Sequence, residues 1–455
     1  MLFRSLANVR GAKLAGIPSD IMIEAVRLDF AQNTSSGVHA GSPAALDWNT
    51  MVDLQADAAT FGADPVTVAG RTITVAGPGL TIGGALKIDI KGNVLVAGEF
   101  QYEQLSGLNG SDGAITLTNA KAQRISVSNV QLFVGVNGGF ITDTDGNVTG
   151  LDTANATGFS VSGASLDLII VNETFGALRS WMGISAHVNS MAVHGLPTAF
   201  ELEILNLDLL YNAPATGGTK LNWQALAALS GNPFRITATT GTDLADITSS
   251  TNISISGQLY INVSGFVMAL ADFSIDQQSG IAVDDTATGT DNVKISLANV
   301  LVLRVSGAYF FVGVGGVINK DGYQNAANPD TFQESLENSG AVGFFVDNAS
   351  FDLAIIGEAT AGGRKWVGIA ANISSLGVVG LPDAFSLTIR DLSFFYNLAA
   401  SDGKRMDWAG LAGNTGDGFN LALGKLSLLD RTVDFKVAGT VAVSIENFVY
   451  VSGSV

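Results

Sequence analysis

Hydrophobic and polar residues alternate with a period of two along most of the chain. In the stretch "ISISGQLYINVSGFVMALADF" (253–273), one set of alternate positions is largely apolar from end to end. The opposite set begins polar and becomes apolar at Phe266, Met268 and Leu270. This period is typical of β-strands, whose successive side chains point to opposite faces. The pattern therefore predicts one strand over this stretch, one-sided at first and apolar on both sides further along.

Several of these strands change phase by one residue at a polar pair that contains Gly or Asn. A slip of one residue inside a strand is what a β-bulge or a bend produces, and Gly and Asn tolerate the unusual backbone angles. The pairs are Ser128-Asn129, Ser162-Gly163, Ser306-Gly307 and Asp347-Asn348. We therefore expect long strands that bend along their length.

Helical patterning is confined to short stretches after an Asp-Trp or Asn-Trp pair. One example is "NWQALAAL" (222–229), in which Asn222 is the expected N-cap. The sequence thus predicts an all-β fold with few short helices. We expect an elongated antiparallel repeat array, in which bent strands form stacked sandwich-like or solenoid-like units.

Two long stretches of the chain resemble each other. The segments 181–212 and 366–397 are identical at sixteen of 32 positions, at an offset of 185 residues. This recurrence predicts repeat units over 1–180, 181–365 and 366–455, the last being about half a copy. Two interpretations stay open: the chain is an excerpt of a longer array, or its ends pair with further molecules.

Composition and charge exclude several classes of function. The chain has no cysteine, which rules out disulfides, thiolate metal sites and a cysteine nucleophile. The net charge of −18, with no cluster of Lys or Arg, opposes binding to nucleic acid. No apolar run approaches about 18 residues, so we expect no transmembrane helix.

The stretch "QLFVGVNGGFITDTDGNVTG" (131–150) allows three interpretations: a phosphate loop, a calcium loop or a hairpin tip. A phosphate loop needs a following helix whose N-terminal amides complete the anion site. No amphipathic pattern follows these glycines. The hairpin is therefore the favoured interpretation over the phosphate loop.

Calcium is the remaining candidate ligand for this loop. Asp143, Asp145 and Asn147 supply oxygen atoms at alternate positions, Gly146 permits a sharp turn, and Asp152 could add a further oxygen. The spacing departs from the EF-hand pattern, and an Asx-Gly hairpin tip needs no metal. The corresponding loop of the next copy is weaker and keeps only two of these ligands, Asn319 and Asp321.

Candidate catalytic residues do not form a recognisable set. His187 and His194 have no histidine at the equivalent positions of the next copy, and His39 stands alone in a Gly/Ser-rich loop. Asp167 and Asp352 are equivalent residues of two copies, so we expect each to lie alone, facing solvent, rather than paired for acid–base chemistry. We therefore predict that the protein is not an enzyme and has no assigned cofactor.

The tryptophans occupy recurring positions. Trp181 and Trp366 lie in apolar strand sequences, "SWMGI" and "KWVGI". This context favours packing in a core over exposed platforms for sugar stacking.

With these units in view, the chain resembles segments of very large, repetitive bacterial surface proteins of the adhesin type. The resemblance rests on "VGLPDAFSLTIRDLSFFYN", "SGASLDL", "FVGVGG" and "NVSGFVMALADF" and covers nearly the whole chain. It implies an extracellular or cell-surface location and a role as a stalk. None of these motifs has catalytic content.

Two functional hypotheses follow. The first is a structural, non-catalytic stalk or fibre segment, whose partners are neighbouring repeats or other copies joined end to end. The alternative is a β-sheet groove that binds or conducts lipid acyl chains, as the groove proteins of bacterial envelope lipid transport do. The alternative requires a continuous apolar stripe that stays uncovered.

Overall fold

The computed structural model of the 455-residue chain describes most of its residues. The described residues are 2–13, 21–35, 48, 51–54, 61–68, 71–72, 79–195, 200–236, 243–263, 265–286, 292–318, 336–337, 340–380, 382, 385–414, 419, 421–446 and 449–454.

The described residues are predominantly strand, which confirms the predicted all-β, antiparallel fold. The strands are β1 (Leu2–Lys13), β2 (Ile21–Ser35), β3 (Thr67–Val68), β4 (Arg71–Thr72), β5 (Gly79–Ile90), β6 (Val94–Ser111), β7 (Thr116–Val136), β8 (Gly139–Thr142), β9 (Val148–Asp152), β10 (Thr157–Asn172), β11 (Ser180–His194), β12 (Phe200–Ala213), β13 (Thr251–Val263), β14 (Val267–Asp284), β15 (Lys294–Val314), β16 (Val317–Ile318), β17 (Leu336–Glu337), β18 (Val342–Glu358), β19 (Lys365–Val379), β20 (Phe385–Leu398), β21 (Phe435–Ile445) and β22 (Val449–Ser454).

Sixteen of these strands form one antiparallel sheet, in the order β1-β2-β5-β6-β7-β10-β11-β12-β13-β14-β15-β18-β19-β20-β21-β22. Spatial order therefore follows chain order. The three remaining pairs, β3–β4, β8–β9 and β16–β17, are small separate hairpins. Each strand of this sheet therefore pairs with strands that are its neighbours in the sequence, as is usual for short connections.

The stretch 253–273 is a hairpin of β13 and β14 and not one continuous strand. Val263 pairs directly with Val267 across the turn. These two residues are an even number apart, so the alternation passes through the turn without a change of phase. The predicted apolar set therefore does lie on one face, while Met268 and Leu270 are buried on the other.

The predicted phase changes coincide with backbone irregularities. One residue of each predicted pair has a positive φ: Asn129 (53°), Gly163 (65°), Gly307 (56°) and Asn348 (52°). The strand register shifts at 161–164 and at 305–308. The prediction of bulges at these positions is confirmed.

Two short segments, in their described residues, lie outside the sheet and cover part of it. We call the described residues of 214–249 lobe 1, which contains helix α1 (Trp223–Ala227) and a 3₁₀ turn (Leu244–Asp246). We call the described residues of 399–434 lobe 2, which contains helix α2 (Trp408–Gly413) and a 3₁₀ turn (Gly424–Leu428). The Asn222 side chain accepts a hydrogen bond from the N–H of Ala225 at 3.1 Å, which confirms it as the predicted N-cap.

The chain divides into two compact units. Unit 1 comprises Met1–His187 and Asn212–Ser249, and unit 2 comprises Val188–Tyr211 and Ser250–Val455. The repeat boundaries expected at 180/181 and 365/366 rest on sequence recurrence and stay a prediction.

The main core of unit 2 lies between lobe 2 and one face of the sheet. Val300 and Val302 of β15 pack there with Trp408 and Leu426 of the lobe. Beyond the bulge in β15, the buried set moves to odd positions such as Phe311, which lies in a second core. We call this side of the sheet of unit 2 the covered face.

Candidate binding surfaces

The first predicted calcium loop lies at the tip of the β8–β9 hairpin. The Asp143 carboxylate accepts hydrogen bonds from the backbone N–H groups of Asp145 and Asn147 and from the Asn147 side chain, each at 2.9 Å. These bonds, chiefly the one from the Asn147 side chain, lower the pKa of Asp143. Asp152 accepts a hydrogen bond from the N–H of Ala154 at 3.2 Å. Oxygens of Asp143 and Asp152 thus close local turns, and calcium binding stays a prediction.

The second predicted calcium loop, with Asn319 and Asp321, lies outside the described residues, as does His39. Within the described ranges, no three His, Asp or Glu side chains form a group that could hold a metal ion.

The glycine-rich stretch before the Asp143 loop leads into a strand and not into a helix. A methyl group on Gly138 would lie 2.4 Å from the Phe133 ring, and one on Gly135 would lie 2.1 Å from the Thr157 carbonyl oxygen. These glycines therefore allow backbone to approach a buried ring and a neighbouring strand. The hairpin interpretation is confirmed over the phosphate loop.

The predicted core role of Trp181 and Trp366 is confirmed. Both side chains are buried. Each indole N–H donates to a lobe carbonyl at 3.1 Å, that of Trp181 to Thr219 and that of Trp366 to Lys404. These tryptophans tie the sheet to its lobes and are not available as stacking platforms.

A second set of tryptophans is held by buried asparagines. The indole N–H of Trp408 donates to the Asn397 side-chain oxygen at 3.1 Å, and that of Trp223 donates to Asn212 at 2.9 Å. Trp48 makes the same contact with the Asn33 side chain at 3.2 Å. We call these contacts the Trp–Asn pairs. Those of Trp223 and Trp408 place a hydrogen bond inside an apolar core, where water does not compete for it.

Unit 2 carries an ion pair beside Trp366 that responds to pH. The Glu358 carboxylate accepts hydrogen bonds from the Arg364 guanidinium at 2.6 and 3.0 Å. The Arg364 guanidinium also lies 5.0 Å from the centre of the Trp366 ring. Hydrogen bonding from the Arg364 side chain lowers the pKa of Glu358.

We expect this pair to stabilise unit 2 above the unfolded-state pKa of Glu358, near 4.5. Because the folded-state pKa is the lower one, the stabilisation is lost as pH falls through it. Glu358→Gln should lower the free energy of unfolding at pH 7 by about 1 kcal/mol or less, since the pair is partly exposed. Urea unfolding of both proteins at pH 7 and pH 3 measures this. An equal difference at both pH values would contradict it.

The prediction that Asp167 faces solvent alone is wrong. Its carboxylate accepts hydrogen bonds from the Arg124 guanidinium at 3.0–3.2 Å and another from the Ser126 hydroxyl. Arg124 also donates to the carbonyl oxygen of Arg235 in lobe 1 at 2.5 Å. Asp167 is therefore a connection between the sheet and lobe 1.

The same prediction is wrong for Asp352, which is only 3% exposed. Its carboxylate accepts the backbone N–H of Lys425 at 2.7 Å, and the Arg304 Nε lies 3.5 Å away. Burial raises the pKa of Asp352. Alternation alone could not reveal this, because lobe 2 covers polar as well as apolar positions of the strand.

The other face of the sheet in unit 2 is apolar along whole rows of cross-strand neighbours. One row crosses eight strands, β12 to β15 and β18 to β21, and contains no charged residue. Its residues are Leu209, Ile255, Ile275, Leu303, Leu353, Ile369, Tyr396 and Phe435. A second row, nearer the opposite strand ends, contains Leu202, Ile261, Ala269, Phe310, Val346, Leu376, Ile389 and Val441. We call this side of unit 2 the apolar face.

Large side chains on the apolar face are exposed. Phe344 is 57% exposed, and its cross-strand neighbour Val312 is 39% exposed. Phe310 and Leu301 of β15 are also exposed. Aliphatic and aromatic side chains left in contact with water over several neighbouring strands form a surface that gains free energy when it is covered.

Unit 1 has a comparable apolar row on its own strands. It crosses five strands, β2, β5, β6, β7 and β10. The residues are Phe30, Ile82, Tyr102, Ile125 and Leu168, of which Ile125 is exposed.

Comparison of the chain with protein-family models, curated proteins and solved structures gave no match. Within the described part of the chain, no helix has the length and apolar character needed to cross a membrane. The candidate binding site is therefore defined by the geometry of the apolar face.

Proposed function

We propose that this chain binds the acyl chains of lipids on the apolar face of unit 2. The supporting observation is the set of apolar rows that cross eight strands, with large exposed side chains such as Phe310 in the second row and Phe344 beside it. The exposure of these side chains among the described residues supports the apolar stripe that the groove hypothesis requires.

The dimensions of the apolar face suit a long hydrocarbon chain. Eight strands span seven intervals of about 4.8 Å, or roughly 34 Å. The hydrocarbon core of a bilayer, which holds two acyl chains end to end, is about 30 Å thick. Each methylene group transferred from water to such a face contributes about 0.8 kcal/mol.

Charge favours isolated acyl chains over a bilayer surface as the occupant. Proteins that dock on anionic membranes carry clusters of Lys and Arg near the contact. The two apolar rows contain no basic residue, and the whole chain has a net charge of −18. Repulsion from anionic headgroups would therefore oppose docking of the intact bilayer.

Native mass spectrometry of the full chain with palmitate tests the proposal. We expect discrete mass increments of bound fatty acid. The double variant Phe310→Glu, Phe344→Glu places two carboxylates on the apolar face and should weaken binding about tenfold or more, because a carboxylate resists transfer into hydrocarbon. Phe175→Glu is the matched control, since Phe175 is 68% exposed in a bend of unit 1 and does not belong to the apolar face of unit 2.

Two results would contradict lipid binding: no increment in the unaltered chain, or equal binding by the double variant. Dimers that form without palmitate and dissociate in the double variant would instead indicate that a second copy covers the apolar face.

The stalk hypothesis is the second candidate, and the sheet topology favours it. The strands of the sheet pair in chain order, so units can be added without rearranging those already formed. The Trp–Asn pairs of Trp223 and Trp408 recur 185 residues apart with nearly the same geometry. This regular recurrence of strands and Trp–Asn pairs suits a non-catalytic extracellular fibre segment. A ladder of end-joined oligomers without lipid mass, in the same spectra, would support it over the lipid proposal.

A further inference from the structure

A polar pocket lies on the covered face of unit 2, apart from the apolar face. It has a volume of about 400 Å³ and lies between strands β15, β18 and β19 and the 3₁₀ turn of lobe 2. Most of its lining is hydroxyl, amide or charged, including Arg304, Asn348, Ser350, Asp352 and Lys425. Pockets of this volume are within the range that binds small molecules in proteins.

Two buried polar atoms of residues that line this pocket have no hydrogen-bond partner within the described part of the chain. They are the Nε of Arg304 and the hydroxyl oxygen of Ser350. The Arg304 Nε lies 3.5 Å from the Asp352 carboxylate, an ion pair that does not meet the geometry of a hydrogen bond. Buried polar groups in native proteins are nearly always satisfied. An unsatisfied donor beside an unsatisfied hydroxyl therefore indicates a place for a polar ligand.

The charges of the pocket select the kind of ligand. Arg304 and Lys425 are cationic, and Asp352 is the one acidic residue of the lining, so the formal charge is +1 when all three are ionised. The Asp352 carboxylate is already engaged by the backbone N–H of Lys425 at 2.7 Å. A methyl group on Gly424 would lie 2.4 Å from the same carboxylate, which shows how closely the turn backbone covers it. This local positive charge favours an anionic ligand at the pocket.

In unit 1, protein groups occupy the position equivalent to this pocket. There Arg124 reaches Asp167 and the carbonyl oxygen of Arg235 in lobe 1. Arg124 of β7 pairs with Ile169 of β10. The residue of unit 2 equivalent to Ile169 is Ala354, and it pairs with Val302 of β15. Unit 2 thus has a valine at the strand position where unit 1 has Arg124.

We propose that the polar pocket binds a small polyhydroxylated carboxylate, of the class of acidic monosaccharides. The ligand carboxylate accepts a hydrogen bond from the Arg304 Nε. Its hydroxyl groups exchange hydrogen bonds with Ser350 and Asn348. A charge-assisted bond supplies the anion preference, while the neutral side chains distinguish a sugar acid from a simple anion.

Titration calorimetry with glucuronate, glucose and acetate tests this inference on the full chain. We expect glucuronate to bind about tenfold or more tightly than either of the others, because each of them lacks one of the two sets of hydrogen bonds. Arg304→Ala should weaken glucuronate binding about tenfold or more, and Ser350→Ala should weaken it several-fold. Ser165→Ala, at the equivalent position of unit 1, and Lys436→Ala, a surface cation outside the pocket lining, are the matched controls.

Circular dichroism establishes that each variant is folded, and Arg304→Lys provides a variant that keeps the positive charge but loses the Nε donor. We expect Arg304→Lys to bind glucuronate more weakly than the unaltered chain. The inference is overturned if glucuronate does not bind, if acetate or glucose binds equally well, or if Ser350→Ala and Arg304→Lys bind as the unaltered chain does.

Discussion

Trp408→Ala is expected to destabilise unit 2 by about 3–5 kcal/mol, the range for truncating a large aromatic side chain in a core. The side chain is fully buried, and its indole N–H donates to Asn397 at 3.1 Å. A methyl group on Gly368 would lie 2.6 Å from its ring, so the indole packs directly on the backbone of β19. Alanine would leave a cavity there and an unpaired side-chain oxygen on Asn397.

Hydrogen exchange followed by mass spectrometry measures this effect locally, and urea unfolding measures it globally. We expect faster exchange in lobe 2 and in β19. Trp48→Ala is the matched control, because Trp48 makes the same Trp–Asn contact at 3.2 Å but is only half-buried. Its replacement should cost less. Equal losses from Trp48 and Trp408 would contradict the role assigned to burial.

Asn397→Leu is expected to have a comparable effect, about 3 kcal/mol or more. The Asn397 side-chain amide donates to the carbonyl oxygens of Met406 at 3.0 Å and Asp430 at 3.2 Å, and its oxygen accepts from Trp408. Leucine has a similar volume but leaves all three groups without their partner. Each buried group left unsatisfied costs about 1–3 kcal/mol.

Thermal unfolding of Asn397→Leu tests this prediction, and the chain offers two comparisons. Asn212→Leu should reproduce the loss in unit 1, since Asn212 donates to Leu221 at 2.9 Å and to Thr248 at 2.8 Å. Asn155→Leu, in an exposed turn, should change stability by less than about 0.5 kcal/mol. The hydrogen-bond argument fails if Asn397→Leu behaves like Asn155→Leu.

The period-two pattern was sufficient to predict strands and their bends, and the Asn-Trp pair at Asn222 was sufficient to predict a short helix. These are local features, because alternation and backbone preference at Gly or Asn depend on neighbouring residues. The turn between β13 and β14 has no signal in the alternation for the same reason. Val263 and Val267 keep the same phase on both arms, so nothing in the alternation marks the hairpin.

The candidate sites were less accessible to sequence reasoning. The apolar rows had a partial signal, namely the second apolar set that begins at Phe266, but the pattern could not distinguish a covered face from an uncovered one. Apart from the period-two alternation, nothing in the sequence indicated that Arg304 and Ser350 belong to a binding site. Their relation to Asp352 depends on the register between β15 and β18 and on a lobe about 70 residues further along the chain.

The amino-acid sequence alone determined the β class, the antiparallel strands, the positions of the bulges and the burial of Trp181 and Trp366. It did so because side-chain period and local backbone preference act over a few residues. Only the tertiary structure decided which face the lobes cover, that Asp167 and Asp352 are engaged by lobe and strand, and that an apolar face and a polar pocket lie on opposite sides of unit 2. Those outcomes depend on contacts between residues far apart in the chain, which alternation along one strand cannot specify.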